Sequence, residues 1–347
     1  MIMSKYRTAL PQLGSRLFLT DGGLETTLIF HNGLDLPHFA SFDLLRTPEG
    51  RKTLSDYFLP YIETARQSRM GFVLEAPTWR ANADWGAKLG YSREALAAVN
   101  RDAIELMAEL RFAHERRETP MVISGNIGPR GDGYVAGAEM TPEVAAEYHD
   151  AQIGAFANTE ADMVSAFTMT NVNEALGIVI AAKQHGLPVV IAFTLETNGL
   201  LPNGATLQEA IETVDAATGE APAYYMINCA HPTHFQRTLG SGGDWVRRIR
   251  GIRANASKRS HAELDSAPDL DAGDPVELGH QYQGLLRAFP QIRVLGGCCG
   301  TDHRHVAHIC SSCGGESRLR PSGGSFQKST DAALPMPAPR SSVLFSR

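Results

Sequence analysis

Cysteine is scarce in this 347-residue chain: there are five, an odd number, and two are adjacent, which is no framework for a disulfide-stapled secreted domain. The thiols are therefore read as ligands or nucleophiles. Long hydrophobic runs are missing too. Nothing approaches the ~18 consecutive apolar residues of a membrane span, and the opening MIMSKYRTALPQLGSRLFLTDGG holds no apolar core of signal-peptide length, so a cytoplasmic protein with no membrane role is expected. Positive charge gives no nucleic-acid footprint: 32 basic against 38 acidic side chains leave a formal −6, and no basic block is interleaved with aromatics. A GxGxxG leading into a helix is also lacking, which removes the usual dinucleotide cradle. What remains, 43% hydrophobic and 20% charged residues, excludes disorder throughout and favours small-molecule chemistry on a sizeable core.

Short apolar or β-branched runs recur, each followed by a longer segment of helical period, which is the pattern of a parallel α/β fold. They fall at 16–21, 71–76, 121–126, 162–167, 188–193, 223–228, 249–255 and 292–297, with helical spacing over 55–69, 93–116, 142–158, 172–185, 206–217 and 276–289. Eight such units predict closure into a (β/α)8 TIM-type barrel over residues 15–310, near the usual ~250 residues plus insertions. Residues 1–14 are read as an N-terminal extension and 311–347, rich in Ser, Gly, Pro and Arg, as a disordered tail.

A barrel of this kind works at the C-terminal ends of its strands. Cys229 ends the sixth run, and Cys298 and Cys299 end the eighth, so three thiols converge on one mouth. Three soft ligands with a fourth position open suit a catalytic Zn2+. Gly296, Gly297 and Gly300 supply the backbone freedom that adjacent ligands need, and a helix starting near Thr301 points its positive end at the pair. Cys310 and Cys313 form a lone CxxC, read as incidental reduced thiols. Histidines at 231, 234, 303, 305 and 308 are read as supporting or surface groups, with a histidine-based barrel hydrolase as the rival. The glycine-rich 125–134 is either a turn-rich loop over the mouth or a set of amides for a carboxylate.

The segments DGGLETTL, GNIGPRGDGY, INCAHP and LGGCCGTDHRH resemble those of the homocysteine S-methyltransferase family, whose members use S-methylmethionine or betaine as donor; the similarity covers about 15–309. The resemblance implies a zinc site of Cys229, Cys298 and Cys299, and an acceptor whose amino-acid part is bound at Asp21 and Gly22. It also implies a pocket lined near Thr78 and Trp79, with no catalytic residue required beyond the metal site. Asn126 and Thr168, at strand ends, complete the candidate lining. One departure stands out: the family commonly has a glutamate for the substrate's ammonium at the end of strand four, where Phe167 stands here. Glu75 and Glu196, at neighbouring strand ends, are the acids expected to compensate.

The expected function is transfer of a methyl group from a sulfonium or quaternary ammonium donor to the thiol of homocysteine, giving methionine. The partners expected are thus a small-molecule thiol acceptor and a methyl donor. Alternatives are the same chemistry on another thiol or selenol, the hydrolase, and a non-catalytic thiol- or zinc-binding protein.

Overall fold

A computed structural model of the chain describes residues 4–314. Eight parallel strands form a closed barrel in sequence order, the last pairing with the first through Phe18↔Val294 and Leu19↔Leu295. The strands are β1 (Phe18–Leu19), β2 (Gly71–Glu75), β3 (Met121–Ile127), β4 (Met163–Met169), β5 (Val189–Phe193), β6 (Tyr224–Asn228), β7 (Ile249–Ala254) and β8 (Val294–Gly297). All eight lie on the expected runs. Each is followed by a helix: α1 (Pro48–Ser68), α2 (Arg93–His114), α3 (Pro142–Ala157), α4 (Val172–Gln184), α5 (Leu207–Thr218), α6 (Pro232–Gly240), α7 (Pro275–Ala288) and α8 (His303–Cys313).

Local chemistry sets the helix starts. Thr47, Ser92, Thr141, Asn171, Thr206 and Asp274 each accept a backbone N–H of the first turn through the side chain, and Pro48, Pro142 and Pro275 occupy the position where a missing N–H costs nothing. The Thr47-Pro48 cap explains why α1 begins seven residues before the expected 55. Helix α6 was not expected at all; it is short, and His231 rather than Ser, Thr, Asp or Asn caps it. Helix α8 continues three residues into the stretch read as tail, because Ile309 and Cys310 are buried and Cys313 packs on the same core. The rest of that stretch, from 315, lies outside the described residues.

Two apolar layers hold the barrel. Outward-facing strand residues and the helices form the larger one. The inner one stacks Phe18, Val73, Val122, Met163, Val190, Tyr224, Met226 and Val294, and Phe167 lies at its upper end. Leu10 belongs to this inner layer and Gln12 is fully buried, its Nε2 3.2 Å from Met163 Sδ, so the N-terminal extension plugs the lower end of the barrel. Asp162 fastens the plug. It accepts Tyr6 N–H at 2.6 Å, Ile123 N–H at 2.9 Å and Arg111 Nη1 at 2.8 Å, with no solvent exposure.

Asp162→Ala strands a buried arginine and two amides, so urea denaturation is expected to show a loss of about 3–5 kcal/mol. A loss under ~1 kcal/mol would show that water replaces the carboxylate without strain.

Candidate metal centre and substrate chamber

Strands β6 and β8 flank β7, and the backbone of β7 holds both cysteine segments. Cys229 N–H donates to Arg253 O (3.1 Å) and Cys298 N–H to Ala254 O (2.8 Å). Cys229 has φ 50°, a left-handed conformation unusual outside glycine. Its carbonyl is fixed by Asn255 Nδ2 at 3.1 Å and His261 Nε2 at 2.7 Å. Around the other pair only Gly300 (φ 78°) uses glycine's conformational freedom. Gly296 and Gly297 serve close approach instead: a Cβ there would strike Thr20 Oγ1 and Thr301 Oγ1 respectively. Helix α8 starts at His303, capped by Asp302.

Cys229 and Cys298 are joined as a disulfide, with Cα atoms 5.4 Å apart, and Cys299 Sγ lies 3.9 Å from Cys229 Sγ. The three sulfurs fall within 4.8 Å of one another, and they are the one group of three or more potential metal-ligating side chains among the described residues. Tetrahedral thiolate ligation at about 2.3 Å implies sulfur separations of about 3.8 Å, so the reduced set fits a metal. Burial pushes the Cys299 thiol up to about 11, with Tyr134 partly offsetting this by a hydrogen bond. A thiol so placed becomes a thiolate at neutral pH when a cation takes the proton's place.

Beneath the sulfurs is a chamber that opens to solvent at its mouth. Aromatic residues Phe39, Trp79, Tyr134 and Phe167 line it together with a charged set, Asp21, Glu25, Glu75 and Arg253, and the two sets meet where the Arg253 guanidinium carbon lies 5.0 Å from the Phe167 ring centroid. Asp21 Oδ1 lies 2.8 Å from Arg253 Nη2, and its Oδ2 accepts Tyr57 OH at 3.0 Å. Loss of hydration still raises the Asp21 carboxyl, which Arg253 and Tyr57 only partly offset. Burial likewise raises Glu25, which accepts Ser41 Oγ at 2.7 Å. Glu75 is pushed up to about 7 by burial, against the pull of Arg253; Ser165 Oγ lies 3.3 Å from its Oε1, and Oε2 has no hydrogen-bond partner.

Of the residues expected from sequence, Asp21, Gly22, Glu75, Trp79, Asn126, Thr168 and the three cysteines line this chamber together. Thr78 does not: it is fully buried, and its hydroxyl donates to Asn126 O at 2.7 Å, bracing the β2 and β3 ends. Glu196 does not either. Its Oε1 lies 3.0 Å from His261 Nδ1, which lowers the carboxyl, and His261 in turn holds the Cys229 carbonyl. Glu196 thus acts behind the metal centre, not on the chamber. Thr168, at φ 63°, is held by Asn228, which accepts its N–H and donates to its hydroxyl, both at 2.9 Å. The glycine-rich loop proves to be a cover for Trp79: a Cβ on Gly128 or Gly133 would collide with that residue. His231 caps α6, His234 Nε2 donates to Lys258 O at 3.0 Å, and His305 Nε2 to Ala272 O at 2.8 Å, while His303 and His308 are exposed. Sequence reasoning missed Glu25, Phe39, Tyr134 and Arg253. Glu25 and Tyr134 left a signal, in DGGLETTL and GNIGPRGDGY.

The sequence model of the family described as homocysteine S-methyltransferase matches residues 18–313. The chain belongs to that family. It is accordingly a methyltransferase acting on the sulfur of homocysteine. Comparison with curated proteins finds no match. Among solved structures, the oxidized form of the Escherichia coli homocysteine methyltransferase MmuM superposes with TM-score 0.71 at 18% identity, over 88% of this chain and 99% of that one. Its metallated form gives 0.65 at 18% identity, over 88% and 98%. At that identity the likeness speaks for the fold. No helix among the described residues is long and apolar enough to cross a membrane.

With the protein reduced first, the Cys298→Ala/Cys299→Ala variant is expected to hold less than about a tenth of the wild-type metal by elemental analysis, since three ligands fall to one. Cys310→Ala should retain all of it: Cys310 packs beside Ser68 and Met70, on the far side of β8 from the chamber mouth. Full metal content in the double variant would remove the centre from these residues.

Proposed function

We propose that the chain transfers a methyl group from a sulfonium or quaternary ammonium donor, such as S-methylmethionine, to homocysteine, with zinc held by Cys229, Cys298 and Cys299. The observation that carries this reading is the convergence of three sulfurs at the head of a chamber lined by both aromatic and acidic side chains. When bound, the zinc holds the acceptor's sulfur as a thiolate at neutral pH, which is the chemistry the protein side chains lack.

The remaining work falls to those side chains. Trp79, Tyr134, Phe39 and Phe167 exclude water and offer aromatic faces to a cationic methyl donor. A thiolate and a sulfonium lose their charges as the methyl passes, so a water-poor wall costs the transition state less than the separated ions. Asp21, Glu25 and Glu75 leave the chamber short of positive charge, with Arg253 as the lone cation of its lining. That imbalance supports seating the ammonium of homocysteine there. Glu75, with an oxygen free and a position at the end of β2, is the acid proposed to replace the carboxylate that Phe167 excludes. Tyr57 and Arg253 hold Asp21 in place beside it.

Incubation of the reduced, zinc-loaded protein with homocysteine and S-methylmethionine should yield methionine by mass spectrometry, and chelation should stop it. Absence of product with every sulfonium and quaternary ammonium donor tried would refute the donor class. Glu75→Gln is expected to raise the homocysteine KM about tenfold, the loss of ~1.4 kcal/mol. The same change should stabilise the protein. A carboxyl whose folded value is about 7, above the ordinary 4.5, resists ionisation in the folded state, so its cost grows as pH rises between those values. The gain in melting temperature should accordingly be larger at pH 8 than at pH 5. An equal gain at both would mean that Glu75 ionises normally.

A further inference from the structure

Arg253 projects from β7 into the barrel and is only 7% exposed. Its guanidinium is held on two edges: Nε donates to Gly297 O at 3.0 Å, and Nη2 donates to Gly22 O at 3.0 Å while pairing with Asp21 Oδ1 at 2.8 Å. The third nitrogen, Nη1, is buried with no hydrogen-bond partner. The Phe167 ring lies against the guanidinium, its centroid 5.0 Å from the guanidinium carbon. The protein's own acids do not fill the gap. Asp21 is engaged by Nη2 and Tyr57, Glu25 by Ser41 and Glu75 by Ser165 through Oε1, and no carboxylate oxygen is within hydrogen-bond distance of Nη1. A planar fork fixed in orientation, desolvated and left with an open N–H edge is preorganised for a carboxylate.

We propose that the Nη1 edge of Arg253 receives the carboxylate of the thiol acceptor, and that this carboxylate, more than the ammonium, is the group by which the acceptor is selected. The inference rests on the reading that the acceptor's sulfur is seated at the three cysteines. It assigns Arg253 as a specificity-determining residue that touches substrate.

The test compares three thiols on the reduced, zinc-loaded full chain: homocysteine, 4-mercaptobutyrate, which lacks the ammonium, and 3-mercaptopropylamine, which lacks the carboxylate. Calorimetry gives Kd and S-methylmethionine supplies the methyl for a parallel rate. Homocysteine is expected to bind most tightly, 4-mercaptobutyrate about tenfold more weakly for want of the ammonium, and 3-mercaptopropylamine at least about tenfold more weakly again. Arg253→Lys keeps a cation for Asp21 but loses the forked edge, and should shrink that gap to under about threefold by weakening only the carboxylate thiols. If that variant does not fold, Arg253→Gln, which keeps Asp21 and an amide donor of similar reach but loses the charged fork, should give the same result. Equal binding of 4-mercaptobutyrate and 3-mercaptopropylamine by the wild type, or an undiminished gap in the variants, overturns the assignment. Carboxylate-selective binding without methylation of any thiol would uphold Arg253 and refute the catalytic reading; methylation without selectivity would do the reverse.

Discussion

Strand β7 is the constraint on which the site depends. Barrel closure sets it between the two cysteine-bearing strands, and its last residues do three jobs at once. The carbonyls of Arg253 and Ala254 receive the amides of Cys229 and Cys298, the Asn255 side chain fixes the Cys229 carbonyl, and Arg253 neutralises Asp21. A slip of β7 by one residue would turn Arg253 to the outer face and unpair both cysteine amides together. The support continues outward through His261, which links the Cys229 carbonyl to Glu196 and stacks on Tyr134 with ring centroids 4.0 Å apart. The unusual φ of Cys229 is therefore sustained from several directions, as a strained functional residue must be.

Electrostatics explains why such a site is expensive to keep. Three carboxylates and one guanidinium share a chamber that burial makes unfavourable for charge, and the carboxyls respond by shifting upward. A core built for stability alone would replace them with apolar side chains. Their retention under that cost is what marks the charged lining of the chamber as a ligand surface, whereas the equally buried Asp162 has every oxygen satisfied by protein donors and reads as a fastening.

The barrel was legible because strands buried on both faces must be apolar throughout, so each of β1 to β8 stood out as a run bounded by helical spacing. The meeting of the three cysteines was legible for a related reason: strand order is also rim order, and cysteines at two strand ends must meet at one mouth. Of the rest of the chamber, Asp21, Gly22, Glu75, Trp79, Asn126 and Thr168 were legible too, whereas Arg253, Tyr134, Phe39 and Glu25 were not. Arg253 sits in IRGIRAN, where three residues earlier Arg250 reaches the lower rim to donate to Leu13 O at 2.9 Å, and nothing local tells the two arginines apart. Tyr134 comes from the loop after β3, whose path over the mouth is set by its packing on Trp79. Glu196 misled in the opposite sense, because a strand-end position fixes the rim but not the direction of the side chain, which here is captured by His261.

The lining of the chamber bears on the order of events. Its aromatic and charged side chains offer separate surfaces to an amino-acid thiol and to the cationic donor of the proposed reading. The soft nucleophiles in that lining are the three cysteines themselves, which are committed as ligands once a metal is bound. A methyl group parked on one of them would remove a ligand and loosen the centre. Direct passage from donor to acceptor within one ternary assembly avoids this, and it requires the two reactants to be held in line, which a lining with separate aromatic and acidic groups can supply.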